Sequence, residues 1–462
     1  MRKRSLFAMS LISLALVACS NDEEINKVID QENEGGALVT LKLDVAKPQT
    51  KGSPDATNQQ AGKTEENTIS NVTVVVDYGT EQKYFKSTDT YGGEYGWKEN
   101  ENKFTFQAPE GDATFYVYAN VHSADLVDTN WSTDQVSAAP NVSDYYKDNN
   151  FFMSNQNGEG VPHTISSTTD NEVKVNIERA AAKVTVESKA DFTDNTHGGN
   201  LRDMSFALGN MVNKFHLLQQ PNYAIPTGLT YSPINDAADA NDWKNVTLGQ
   251  TVNGQGAVQA TALAGAYCME NISADNNQST TTYAKFKTTF VPGKALDFDV
   301  AADGNGLTIK SDLKAVTVGE TDPAPTFYVV LEGDRENVTS NYILKSDLYQ
   351  TDGTTPKDGV TLTKTNGGYD VTGIDGISKI SAEYENGQCY FGPIWFNIDD
   401  SNTASPVYRN DWYHLTVKSI KLPGSPQEPG DGGDQPLVSD INVTVEVTVQ
   451  AWEWESRDIE LQ

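Results

Sequence analysis

The chain has 462 residues, with 34 Lys and Arg against 64 Asp and Glu, a net charge of −30. Residues 1–51 carry seven basic and seven acidic residues, so the remainder holds 27 against 57 and the same −30. A surface this acidic excludes a nucleic-acid binder and keeps the protein soluble.

At the N-terminus, Met1-Arg2-Lys3-Arg4 and the apolar run "SLFAMSLISLALVA" read as an export signal, too short for a membrane span. The run ends in Leu16-Val17-Ala18-Cys19, the pattern of a bacterial lipoprotein signal, with Cys19 as the lipidated residue. Residues 1–18 are then removed.

A polar stretch follows to about Gly36. "VTLKLDV" (39–45) then alternates, with Val39, Leu41, Leu43 and Val45 on one face and Thr40, Lys42 and Asp44 on the other. Residues 46–67 lack periodicity and read as an exposed loop. From Thr68, strand patterns recur at short spacing: "ISNVTVVVDYG", "NKFTFQ", "DATFYVYANV" and "NEVKVNIERAAAKVTVES". The boundary between a first domain (52–178) and a second (179–422) is placed at Arg179-Ala-Ala-Ala. Strand patterns continue through "TTYAKFKTTFV", "TFYVVLEG", "QCYFGPIWFNI" and "DWYHLTVKSIKL". Helices are expected to be few and short.

The segment 423–436 holds four Pro and four Gly and reads as a linker. The tail 437–462 comes after it. Ile441, Val443, Val445, Val447 and Val449 alternate with polar residues, and Trp452 and Trp454 come next. The tail pattern matches 39–45 in character. Both look like edge strands with one apolar face, and both fit one half-buried slot. The first is followed by Lys51-Gly52 in the loop; the second hangs on the linker.

While attached, strand 39–45 fills its slot at an effective concentration near the millimolar range. A cut at Lys51 makes it dissociable, and the tail of another copy then has a place to insert. Burying five β-branched residues yields roughly 1.5–3 kcal/mol each. Ordering nine residues costs about as much in total, at ~1–2 kcal/mol apiece. Insertion therefore needs a preformed groove that also supplies ladder hydrogen bonds, as in β-strand addition.

No catalytic constellation stands out. The five histidines are scattered without metal-ligand spacing. His414 reads as a strand residue, "PGDGGD" as linker, and "DFDVAADGNG" as a turn without the EF-hand order. No metal or cofactor is expected. Cys268 and Cys389 are compatible with one disulfide or with two buried thiols. "CYFGPIWF" reads as core.

"VYRNDWYHLTVKSIKLPGSP", the Pro-rich spacer and "INVTVEVTVQAWEWESRDIEL" resemble the minor fimbrilin family of Bacteroidales, subunits of type V pili. "IERAAAKVTVE" and "KFHLLQQP" are similar to that family too. The resemblance implies an all-β chain of two transthyretin-like, Greek-key β-sandwich domains in tandem, with an extended C-terminal donor strand. It implies a precursor lipidated at Cys19 in the outer membrane, cut by a surface protease, and polymerised by strand exchange into a fimbrium serving adhesion and biofilm formation. The partners it implies are other copies and accessory fimbrial subunits. Lys51-Gly52 matches the family's cut before a small residue, but no arginine lies between Arg4 and Arg179. A trypsin-like protease that accepts lysine is therefore required. Lys63-Thr64 is the rival bond. Tip subunit, anchor subunit and monomeric glycan-binding lipoprotein are the alternative readings.

Overall fold

The computed structural model describes residues 36–45, 59–61, 63–92, 95–125, 127–192, 198–232, 243–246, 265–272, 277–319, 321–332, 339–366, 368–396, 405–420, 422–428 and 443–453. The signal segment, Cys19, Lys51, Gly52, Ile441 and Trp454 lie outside them. The described residues are mostly strand, with two four-residue α-helices, Thr64–Asn67 and Lys345–Leu348. The expected all-β class is borne out.

Nine strands form the first sheet. Their hydrogen-bonded order is Gln82–Lys86, Val72–Asp77, Gly111–Ala119, Met153–Asn155, Asn171–Arg179, Ala37–Val45, Lys103–Ala108 and Gly96–Lys98; Val161–Ile165 pairs with Gly111–Ala119. The sheet folds over its own core. Phe85 and Phe106 stand near opposite ends of this order, yet their rings stack at 4.2 Å. "DATFYVYANV" supplies the central strand, and its alternate Phe115 and Val117 are fully buried.

The chain crosses to a second body between Arg179 and Ala181. There one sheet runs Gly265–Met269, Ala181–Phe192, Asp411–Ile420, Val443–Glu453 and Gln59–Ala61. A facing sheet runs Lys244–Asn245, Gly199–Gly209, Tyr283–Pro292 and Gln388–Trp395. Val184, Val186, Leu415 and Val417 from one sheet share a core with Phe206, Phe286, Phe290 and Phe391 from the other. That is a sandwich, with inward positions at period two.

A further core (Leu296, Tyr328, Ile343, Leu348, Val371 and Ile380) sits under short hairpins between Pro292 and Ala382. Cys268 and Cys389 are unbridged and buried in the sandwich core, where burial pushes both thiols up to about 12.

Candidate assembly site

The first strand, Ala37–Val45, is hydrogen-bonded along both edges. It pairs in parallel with Asn171–Arg179, from Val39↔Asn171 to Val45↔Ile177. It pairs antiparallel with Lys103–Ala108, from Ala37↔Ala108 to Lys42↔Lys103. It is therefore a central strand, and the expectation of an edge strand is corrected. An alternating pattern reports one buried face and says nothing about whether both edges are paired.

The inward side chains Val39, Leu41, Leu43 and Val45 are 0–5 % exposed, as the pattern predicts. The outward Lys42 ammonium lies 2.9 Å from Glu172 on the neighbouring strand. Removing this strand would uncover an apolar slot between Val173, Val175 and Ile177 on one side and Phe104 and Phe106 on the other.

In the single chain the tail strand, Val443–Glu453, lies on the second body. It runs antiparallel to Asp411–Ile420, from Asp411↔Ala451 to Ile420↔Val443, with a register shift between Val417 and Ser419. Val445 packs against the sandwich core. On its other edge, Ala451, Trp452 and Glu453 pair in parallel with Gln59, Gln60 and Ala61. Gln59–Ala61 falls within a segment that reads as loop, because three polar or small residues carry no alternation.

The linker is docked at its start. Ser425 and Tyr390 exchange backbone hydrogen bonds of 2.7 and 2.8 Å. The Tyr384 hydroxyl donates to the Gly424 carbonyl at 2.6 Å. A Cβ on Gly424 would lie 1.9 Å from the Tyr390 carbonyl oxygen, so only glycine fits. Lys285, itself buried, forms an ion pair with Glu428. Composition identifies a linker but not where it touches its own domain.

Between the two bodies sits a buried polar cluster that the sequence does not announce. Helix Thr64–Asn67 brings Glu66 against Lys183, with Nζ and Oε1 2.7 Å apart and both side chains 0 % exposed. The Tyr267 hydroxyl donates to the same oxygen at 2.5 Å, and the Lys63 amide donates to Oε2 at 2.7 Å. Burial pushes the Glu66 carboxyl up, but the Lys183 charge and these donors outweigh it and hold the group below its ordinary value.

Arg179 donates from Nε to the Glu66 carbonyl and from Nη1 to Asn410 Oδ1, each at 3.0 Å, and from Nη2 to Asn67. Burial brings its guanidinium down to about 10. The Lys183 ammonium also stands 4.2 Å from the centre of the Trp412 ring. The cluster fixes the helix, the end of the Asn171–Arg179 strand and the start of the Asp411–Ile420 strand to one another. Lys183 stands on the face opposite Val184 and Val186, where alternation predicts a solvated side chain, so nothing in the sequence signals the cluster. His414 is a strand residue as expected, with Nδ1 3.0 Å from Thr185 Oγ1.

Solved structures similar to this chain include a fimbrilin from Porphyromonas gingivalis W83, at 15% identity, covering 92% of this chain and 99% of that one, with a TM-score of 0.44. The tip fimbrial protein Mfa3 of Porphyromonas gingivalis, with a C-terminal truncation, is similar at 14% identity, covering 90% and 100%, with a TM-score of 0.35. No curated protein matches the chain. Residues 382–458 match the family model described as major fimbrial subunit protein type IV, fimbrillin, C-terminal.

Proposed function

We propose that the protein is a structural subunit of a cell-surface fimbrium, made as a lipoprotein on Cys19, cut at Lys51-Gly52 and polymerised by donor-strand exchange. A shaft position fits best, since the chain carries both a removable strand and a full tail. Adhesion and biofilm formation are then the role of the fibre. The fimbrillin match over residues 382–458 spans the tail strand and the strand it lies on.

One observation carries the reading. Ala37–Val45 fills an apolar slot with a ladder on each side, and only residues 46–58 join it to the next strand, Gln59–Ala61. The tail presents the same alternation, V-T-V-E-V-T-V against V-T-L-K-L-D-V. A slot emptied by one would take the other.

Lys51 is favoured over Lys63 as the processing site. The Lys63 amide and carbonyl are both hydrogen-bonded to Glu66, at 2.7 and 3.0 Å. A protease needs its target extended and free of such bonds.

A specific observation also favours a second reading, a monomeric glycan-binding lipoprotein: the tail lies in its own sheet. Native trypsin treatment of the precursor without its signal, then gels in SDS without boiling, separates the two. We expect a ladder of oligomers that is lost when 437–462 is deleted. Cleavage at Lys51 with no oligomers would overturn the fimbrial reading in favour of the monomer.

A further inference from the structure

We propose that Gln59–Ala61 is a latch that holds the tail strand on its own subunit until the chain is cut. The inference rests on the strand-exchange reading above and adds a control to it. The latch pairs with Ala451–Glu453 and so covers the outer edge of the tail at its C-terminal end. That end lies at the junction of the two bodies, because Ala451 stands opposite Asp411, the neighbour of the Asn410 that receives Arg179.

Both ends of the latch are tied. Two residues past its end, the Lys63 backbone is bonded to Glu66, and Glu66 is fixed on Lys183. Before it, the thirteen residues 46–58 lead back to Val45, the end of the strand that fills the slot. The slot-filling strand and the latch are thus two ends of one covalent bridge, and Lys51-Gly52 is a bond within it.

A ladder of three pairs is too short to persist by itself. It is held because its ends are held. Cutting after Lys51 leaves the latch with one tether and a seven-residue free end, 52–58. The ladder then frays, and the tail loses its outer partner in the same event that lets the slot lose its strand. One cleavage therefore readies acceptor and donor together. An uncut subunit is a poor donor as well as a closed acceptor, which prevents subunits from joining before they are processed.

The test uses an uncut donor, the precursor without its signal carrying Lys51→Gln. It is mixed with cut acceptor lacking 437–462, and heterodimers are monitored in SDS gels without boiling. Along one edge of a parallel ladder, alternate residues offer their N–H groups. Two donors are therefore made, Gln60→Pro and the double variant Gln59→Pro/Ala61→Pro, so that one of them loses the N–H groups aimed at the tail.

That donor should pair about fivefold faster than the unsubstituted one, the effect of about one lost ladder hydrogen bond. Both variants pairing at the unsubstituted rate would overturn the latch. A second measurement needs no variant: amide hydrogen exchange in 443–453, pulsed just after cutting and read on the monomer before oligomers form, should be faster in cut than in uncut wild-type protein. Equal exchange also overturns the latch. If even cut wild-type donor fails to pair with the acceptor, strand exchange itself is wrong and the latch falls with it.

Discussion

Glu66 is the residue on which the junction turns, because its buried carboxylate faces the Lys183 ammonium and its carbonyl receives Arg179. Removing one partner of a buried pair leaves an uncompensated charge, which costs about 3–5 kcal/mol. Glu66→Ala should lower the urea midpoint accordingly. Glu172→Ala, which breaks the exposed pair with Lys42, should leave it unchanged. The direction of the Glu66 shift sets the pH dependence. Its folded-state value lies below the ordinary one, so its contribution is present above the ordinary carboxylate value and is lost as pH falls through the folded value. Melting measured from pH 7 into the acid range should show this loss in wild type, and Glu66→Gln should flatten that part of the profile. The sequence hides such a residue, since "TEEN" reads as a polar loop and nothing in its spacing announces a partner more than a hundred residues away.

At the scale of elements, alternation was legible wherever one face meets a core. Val39–Val45 and the tail are both strands with the expected inward face in the first case and the expected alternation in the second. What alternation leaves open is the neighbour. Ala37–Val45 is central where an edge strand was expected, because ladder partners are chosen by the whole sheet. Short pieces were equally illegible: Gln59–Ala61 and the hairpins over the third core are too brief to show a period.

The tail gives the sharpest test of exchange. Val445→Asp and Val447→Asp would each put a carboxylate into an apolar slot without a partner, which is strongly unfavourable. Both variants should give folded monomers by circular dichroism and no ladder after trypsin. Normal ladders from both would mean that another segment is donated.

For the whole molecule, charge governs encounter. Past Lys51 the chain carries −30, so identical subunits repel one another over distances that salt shortens, about 30 Å at 0.01 M and 8 Å at 0.15 M. Light scattering of cut subunits should therefore show assembly accelerating as sodium chloride is raised between these limits. An assembly rate that falls with salt would place attraction between opposite charges at the interface instead.

The docking of the linker on Tyr384, Tyr390 and Lys285 has a mechanical consequence. In a fibre joined by donated tails, tension leaves each subunit at Glu428, a point anchored on the sandwich, and enters the next along the length of the inserted strand. A strand with partners on both edges, pulled along its own axis, loads all its ladder bonds in shear and must break them together. Pulled across its axis it would peel away one bond at a time. The two-sided slot occupied by Ala37–Val45 therefore suits a joint that has to withstand flow.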